Sequence, residues 1–448
     1  MNASKDCTSP EQQCDFAKAF AQFRHLLDPA DVNALQPLGP ATVYTTWVVV
    51  WLLVYQRLHG NASLQEAVAE LVQSMSELSE NRRVVERTLS GNTGAYSRAR
   101  SRLKPEVAEQ ICDKVYETLV AALPPSFGGR RVLIVDGTAI TLVPTPALTK
   151  AFPPASNQNG LSAWPLCHMV VAHELSSGCA IRPEIGPKYG PQALGEVALA
   201  EGLILRLPAR SVLLADRNFG VFAMAHAAVA SEHDVVFRLT QSRFKSMVRL
   251  VRLQGSGTWD LLWKPSPKER RAHPEWAKDV AIQVRLHAVQ VRADLTLWLM
   301  TTLTCSAQEL ADLYRLRLDV ETDIRDVKIT LKTDDLLSKS VDMLKKEIAM
   351  AFVAYNLVVQ VRRLAAQRAG VKPRRLSFSG VWSLVKIILL QPVEATSEQW
   401  QERFELVLRA CGQRKLPNRT GRQYPRQVIH RRRKFPSRPS SSTKKTTK

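Results

Sequence analysis

The sequence has no GxxxxGK[ST] phosphate loop, which removes the usual cradle for a nucleoside triphosphate and argues against ATP-driven chemistry. Its seven cysteines are scattered, odd in number and never arranged as CxxC, so neither a zinc site nor a disulfide framework is indicated, and a reducing cytoplasm fits. No apolar run reaches the roughly 20 residues needed to span a bilayer. The best, Val43 to Tyr55, suits a buried core helix. The opening residues MNASKDCTSPEQQCDF lack the apolar stretch of a signal peptide. Acidic residues are in deficit, with 41 Asp and Glu against 62 Lys and Arg, a formal charge of +21. That surplus favours a polyanionic partner, nucleic acid first and an anionic membrane surface second.

The patterning divides the chain. Residues 1–125 read as an all-α N-terminal region, with periodic stretches at 63–75 and 105–123. Between them, SGNTGAYSRARSRLK sets Arg98, Arg100, Arg102 and Lys104 near a helix start, either as a phosphate contact or as a solvated charge run. From residue 131 short apolar runs read as strands: RVLIVDG, PLCHMVVAHEL, GCAIRPEIG, SVLLADRNFG and HDVVFRLT. Helical stretches precede the last two, which describes a mixed α/β sheet over 126–240 with helices packed on it. Residues 241–295 are irregular and basic and read as a β-rich insertion. Residues 296–370 return to a strand and two helices. Residues 371–448 end in a basic tail: positions 406–448 hold 14 Lys or Arg and no Asp or Glu. Within that tail, Arg431, Arg432 and Arg433 form a cluster suited to contacting nucleic acid.

The chemistry is concentrated in Ser306–Leu331. On a uniform α-helix with Tyr314 at zero, Arg317 falls near 300°, Glu321 near 340° and Lys328 near 320°, so the four share one face. Leu313, Leu316, Val320, Ile324, Val327 and Leu331 fill the adjoining core stripe. Asp312, Asp319, Asp323 and Asp326 are expected to form a solvent face. Ser306 followed by Glu309 predicts a capping box at the start. Two predicted strands end in an aspartate, Asp136 in VLIVDGT and Asp216 in LLADRNFG, where open α/β sheets place their ligand crevice. Three carboxylates suit a pair of Mg²⁺ ions that keep waters and take substrate phosphate oxygens. His168 and His173 lie in one predicted strand with no nucleophile motif, so filling and hydrogen bonding are their expected roles.

Asp136, Asp216 and Glu321, with Tyr314, Arg317 and Lys328 in Y-x2-R-x3-E-x6-K spacing, resemble the DDE transposases of the insertion-sequence-four group. DGT after the first strand, Gly195–Glu196, ADRNF, the TTL before the helix, LLSKS at 336–340, YNL at 355–357 and the YPR…RRRKFP ending follow the family pattern in order. Leu318 departs from it, standing where the family usually has Trp. The resemblance implies a ribonuclease H-like catalytic core interrupted by a β-rich insertion before the Glu helix. It implies that Asp136, Asp216 and Glu321 hold Mg²⁺, with Mn²⁺ able to substitute, and that Tyr314, Arg317 and Lys328 bind the phosphate backbone of double-stranded DNA. It makes Trp259 and Trp263 candidates for base stacking, with core packing as the alternative. The implied function is a transposase that binds terminal inverted repeats, cleaves a strand at each end and joins it to target DNA, working as a dimer or larger assembly. A ribonuclease H-like structure-specific nuclease and an inactive DNA-binding descendant are the rivals.

Overall fold

Several helices begin where the sequence supplies a side chain for their free N–H groups. The computed structural model describes residues 26–39, 41–73, 81–86, 88–157, 160–249, 257–292, 295–389 and 397–417. Asp28 caps Pro29–Leu35, Thr45 caps Thr46–Leu58 and Ser340 caps Val341–Arg368. Every described element before the sheet is helical: Pro29–Leu35 and Thr46–Leu58, then Leu64–Gln73, Arg82–Val85, Gly94–Arg102 and Pro105–Ala121. Thr46–Leu58 is buried along its whole length.

Val341–Arg368 is apolar and long enough to cross a membrane, yet 94% of its apolar window is buried inside the protein. It is a core helix, and Thr46–Leu58 and Pro105–Ala121 pack against it. The basic run is partly absorbed at this junction. Arg100 pairs with the buried Glu347, and Lys346 Nζ donates to the carbonyls of Arg100 and Leu103, each at 2.8 Å. A buried cation thereby satisfies carbonyls that the end of Gly94–Arg102 leaves open.

Among the described residues nine strands form one mixed sheet: β1 Val132–Thr141, β2 Pro154–Asn157, β3 Gly160–Glu174, β4 Glu184–Pro187, β5 Val212–Ala215, β6 Asp234–Arg238, β7 Thr258–Trp263, β8 Ile282–Arg292 and β9 Leu295–Thr301. Their order is β2-β3-β1-β5-β6-β9-β8-β7, with β4 also on β3. β1 runs antiparallel to β3 and parallel to β5, and β5 runs parallel to β6. Of the GCAIRPEIG run only the last part is strand, with Ala180 bridging His173 just before it. The stretch expected to be a β-rich insertion holds two helices, Gln241–Val248 and Pro267–Ala272, besides β7 and β8. These two strands prolong the central sheet through β9, because the β8–β9 hairpin carries the ladder outward from β6.

Side chains alternate across the sheet. Val132, Ile134, Val212, Leu214 and Val236 share a cluster with Leu310, Leu313, Tyr314 and Val320 of the Ser306–Leu331 segment. Leu133, Val135, Leu213, Ala215, Val235 and Phe237 belong to the other cluster, with Leu199 and Leu203 of helix Glu196–Ile204 and Phe222 and Met224 of helix Phe222–Ala230. The sheet is therefore covered on both faces, as its near-continuous apolar central strands require.

Candidate active site

Strand register assembles the first part of the site. Val135 of β1 lies opposite Ala215 of β5, and Ala215 opposite Phe237 of β6. The next position on each chain is Asp136, Asp216 and Arg238, so two carboxylates and a guanidinium stand in a row where β5 ends. Asp136 does not end its own strand as expected, because β1 continues to Thr141 on the β3 ladder and only its pairing with β5 stops there. By the alternation of β1, Asp136 shares the face of Val132 and Ile134, which the Ser306–Leu331 segment covers. Sequence reading missed Arg238; its only signal is its place at the end of the strand after the one that delivers Asp216.

The covering segment is not one uniform helix. The expected capping box is present, with Ser306 Oγ accepting from Glu309 N and Glu309 Oε2 from Ser306 N. An α-helix then runs Ala307–Arg315, followed by a 3₁₀ turn at Leu316–Leu318, an α-helix at Asp319–Arg325 and a π turn at Asp326–Thr330. The 3₁₀ turn overwinds the chain and the π turn underwinds it. Uniform spacing therefore misplaces Leu316, which is exposed rather than part of the core stripe. The chemical residues still converge. Arg317 Nη1 donates to Asp136 Oδ2 at 3.2 Å, and Arg317 Nη2 lies 3.6 Å from Glu321 Oε1. Glu321 is 57% exposed, so its carboxylate faces the open side of the crevice. Lys328 Nζ donates to the Ala139 carbonyl of β1 at 2.7 Å and lies 3.7 Å from Asp334.

Tyr314 is buried on the sheet, with its hydroxyl bonded to Arg238, and burial pushes it up to about 12. Burial also pushes the Asp136 carboxyl up. The hydrogen bond from Gly137 N at 2.8 Å and the Arg317 charge oppose that rise, while the nearby Asp216 charge adds to it. Asp216 accepts from Asn218 N at 2.8 Å, a local turn that aims the residue out of the strand.

Among the described residues no three His, Cys, Asp or Glu side chains are gathered closely enough to enclose a metal ion. Asp136 and Asp216 are neighbours, and Glu321 joins them through Arg317. The donor set nevertheless fits a hard divalent cation, since all three are carboxylates and the desolvated Asp136 lacks full charge compensation. Arg431, Arg432 and Arg433 lie outside the described residues.

The expected solvent face is corrected by the fold. Asp312 is exposed, but Asp323 is fully buried and Asp326 nearly so. Arg374, about fifty residues downstream, donates to both oxygens of Asp323 at 2.7 Å and lies 3.3 Å from Asp319. The back of the segment is thus a wall against Val341–Arg368 and the turn Pro373–Arg375, and basic side chains meet the acids there. Burial pushes Asp326 up to about 6. His173 adds its ring to this wall, with Nδ1 3.2 Å from the Gly178 carbonyl and an edge contact to Tyr355. His168 lies on the opposite face of β3, its Nδ1 3.0 Å from the Leu194 carbonyl. Both histidines fill and hydrogen-bond. Trp263 packs edge-on against Phe222 and Trp259 edge-on against Phe244, so in this structure both are packing residues. Leu318 is 59% exposed, so it leaves no hole where the family's Trp would stand.

Residues 127–357 match the family model described as "Transposase DDE domain". The chain is 28% identical over 358 residues, 78% of its length and 79% of the relative's, to "Transposase InsG for insertion sequence element IS4" of Escherichia coli (strain K12). Among solved structures it aligns with the cryo-EM structure of the piggyBac transposase synaptic complex with hairpin DNA. That match has 11% identity and a TM-score of 0.40, over 92% of this chain and 86% of that one.

Proposed function

Because this chain belongs to the DDE transposase family and is an insertion-sequence DNA transposase of the IS4 group, we propose that Asp136, Asp216 and Glu321 are the acids with which it cleaves and joins DNA. The observation that carries this reading is the meeting of two aspartates, Asp136 inside β1 and Asp216 just after β5, adjacent in register, with a helix whose Arg317 touches Asp136 and lies beside Glu321. DDE transposases use divalent metal ions. We assign Mg²⁺, with Mn²⁺ as a substitute, because oxygen-only donors suit hard cations. Held by these three carboxylates, such an ion would supply activation of the attacking oxygen and charge neutralisation on the leaving one.

The protein's own groups do the rest. The buried β1–β5 pairing holds Asp136 and Asp216 in fixed relation, and Arg317 keeps Glu321 turned toward them. Arg317, Lys328 and Tyr314 contact the phosphate backbone, with Arg317 and Lys328 exchanging present protein partners for phosphate oxygens when DNA enters. The tail arginines Arg431, Arg432 and Arg433 add affinity that falls steeply with salt. The core is of the ribonuclease H-like type. In support, its strands run β4-β3-β1-β5-β6, antiparallel up to β1 and parallel beyond, with 241–295 inserted before the Glu segment. Synapsis of two element ends calls for a dimer or larger assembly.

The test is strand nicking of the element's own end DNA with Mg²⁺ or Mn²⁺, followed by joining of pre-cleaved ends to a target duplex. Asp136→Ala, Asp216→Ala and Glu321→Gln are each expected to lose nicking by on the order of a thousandfold. Full activity in all three refutes the assignment, and nicking without joining supports a structure-specific nuclease instead.

A further inference from the structure

The crevice at the end of β5 is walled from one face of the sheet by Arg317 and Glu321, and a fourth carboxylate approaches it from the other. Glu196 is the first residue of helix Glu196–Ile204, after Gly195. An acid there ordinarily leans on the helix N-terminus and points to water. Glu196 instead turns back across β1. Gly137, next to Asp136, has no Cβ, and one added there would lie 2.5 Å from the Glu196 carboxyl carbon and 2.8 Å from its Cγ. The carboxylate fills the space a side chain at 137 would need.

Two groups hold it in place. His168 Nε2 stands 3.6 Å from Glu196 Oε1. The other ring nitrogen faces the Leu194 carbonyl, which can only accept, so Nδ1 carries a proton and the ring's orientation is set, and it is the doubly protonated ring that attracts the Glu196 carboxylate through Nε2. Asn218 hydrogen-bonds Glu196 through its side chain, while its backbone N–H donates to Asp216 Oδ1. Asn218 therefore ties Glu196 to Asp216, and Gly137 brings it against the strand that carries Asp136. A surface acid recruited only to a helix end needs neither the missing Cβ nor a link to the second aspartate.

We infer that Glu196 is a positioning residue of the reaction, a fourth carboxylate that orients the waters of the divalent cation held by Asp136, Asp216 and Glu321. The inference rests on the proposed assignment of those three acids. Mg²⁺ and Mn²⁺ sites of this kind keep several waters, whose hydrogens require acceptors beyond the direct ligands. Glu196 brings such an acceptor to a side of the crevice that Glu321 does not cover.

The experiment is Mn²⁺ titration of the full-length protein without DNA, read by calorimetry and by the electron paramagnetic resonance signal of free Mn²⁺. Glu196→Gln keeps the size and hydrogen bonding of the side chain and removes its charge. The expected result is a weakening of Mn²⁺ binding of about tenfold or more, with the metal-free melting temperature unchanged. Should that variant fail to fold, Gly137→Ala decides, because it pushes the carboxylate off β1 without removing it, and the same weakening is expected. Asp136→Ala serves as the reference and is expected to bind no Mn²⁺. Wild-type affinity in the deciding variant, with binding lost in Asp136→Ala, overturns the role of Glu196 alone. Wild-type affinity in Asp136→Ala overturns the assignment of the acids on which the inference stands.

Discussion

The two sides of the segment Ser306–Leu331 carry the same residue types and do opposite things. On the crevice side, Glu321 is largely exposed, with Arg317 between it and Asp136. On the back, Asp323 is sealed from water and clasped by Arg374, with Asp319 at the same guanidinium. An Arg–carboxylate contact at an open crevice is exchangeable, because water or phosphate can replace either partner. A buried one is not, because losing either partner strands a charge in a medium that cannot solvate it. The segment is thus anchored by one set of acids so that another acid, two residues away along the chain, is free to work.

The largest expected effect separates these roles directly. Asp323→Ala leaves Arg374 without its main partner in a buried site and is expected to cost about 3–5 kcal/mol in urea denaturation. Glu321→Ala, at an exposed position, is expected to change stability by less than about 0.5 kcal/mol while abolishing nicking. If the two variants exchange these behaviours, the contrast between the faces is wrong.

A second test sharpens the contrast through pH. The Asp326 carboxyl is raised from 3.8 to about 6, first by burial. A raised folded value means that its contribution to stability is fully present below 3.8 and is lost as pH rises through about 6. Asp326→Asn has no charge to bury, so it is expected to match the wild type near pH 4 and exceed it above pH 7. The gain should be on the order of 2–3 kcal/mol. Thermal or urea unfolding across that window checks it, and a variant less stable at pH 8 than the wild type refutes the account.

The smallest expected effect concerns Leu318. At 59% exposure it packs little, so Leu318→Trp is expected to shift stability by less than about 0.5 kcal/mol. A larger gain in melting temperature would show that the crevice side holds a packing site that Leu318 fails to fill.

Some of this was legible in the chain itself. Asp216 stands at a strand end because an apolar run of β propensity stops there and turn residues follow, whereas Asp136, which the same rule placed at a strand end, lies inside β1 because pairing with β3 carries that strand on to Thr141. Ser306 and Glu309 mark a helix start by a rule that needs only neighbouring residues. Other features were not legible, because their causes lie far along the chain. Asp323 and Asp326 look like solvent residues until Arg374 and the helix Val341–Arg368 are packed behind them. Leu316 looks like a core residue until the 3₁₀ turn rotates it outward. Glu196 reads only as part of the Gly195–Glu196 match to the family pattern, with no role, until Gly137 is found beneath it.

By itself, then, the sequence determined the residues that short-range rules govern: an aspartate in each of two strand segments, the capped start of the helical segment carrying Tyr314, Arg317, Glu321 and Lys328, and a basic surplus suited to DNA. Strand and helix periodicity are local and survive without tertiary context. Tertiary structure decided which carboxylates are buried and which are free, that Arg238 and Glu196 border the site, and that 241–295 extends the main sheet. Burial and charge pairing are properties of the space between elements, and no local pattern contains them.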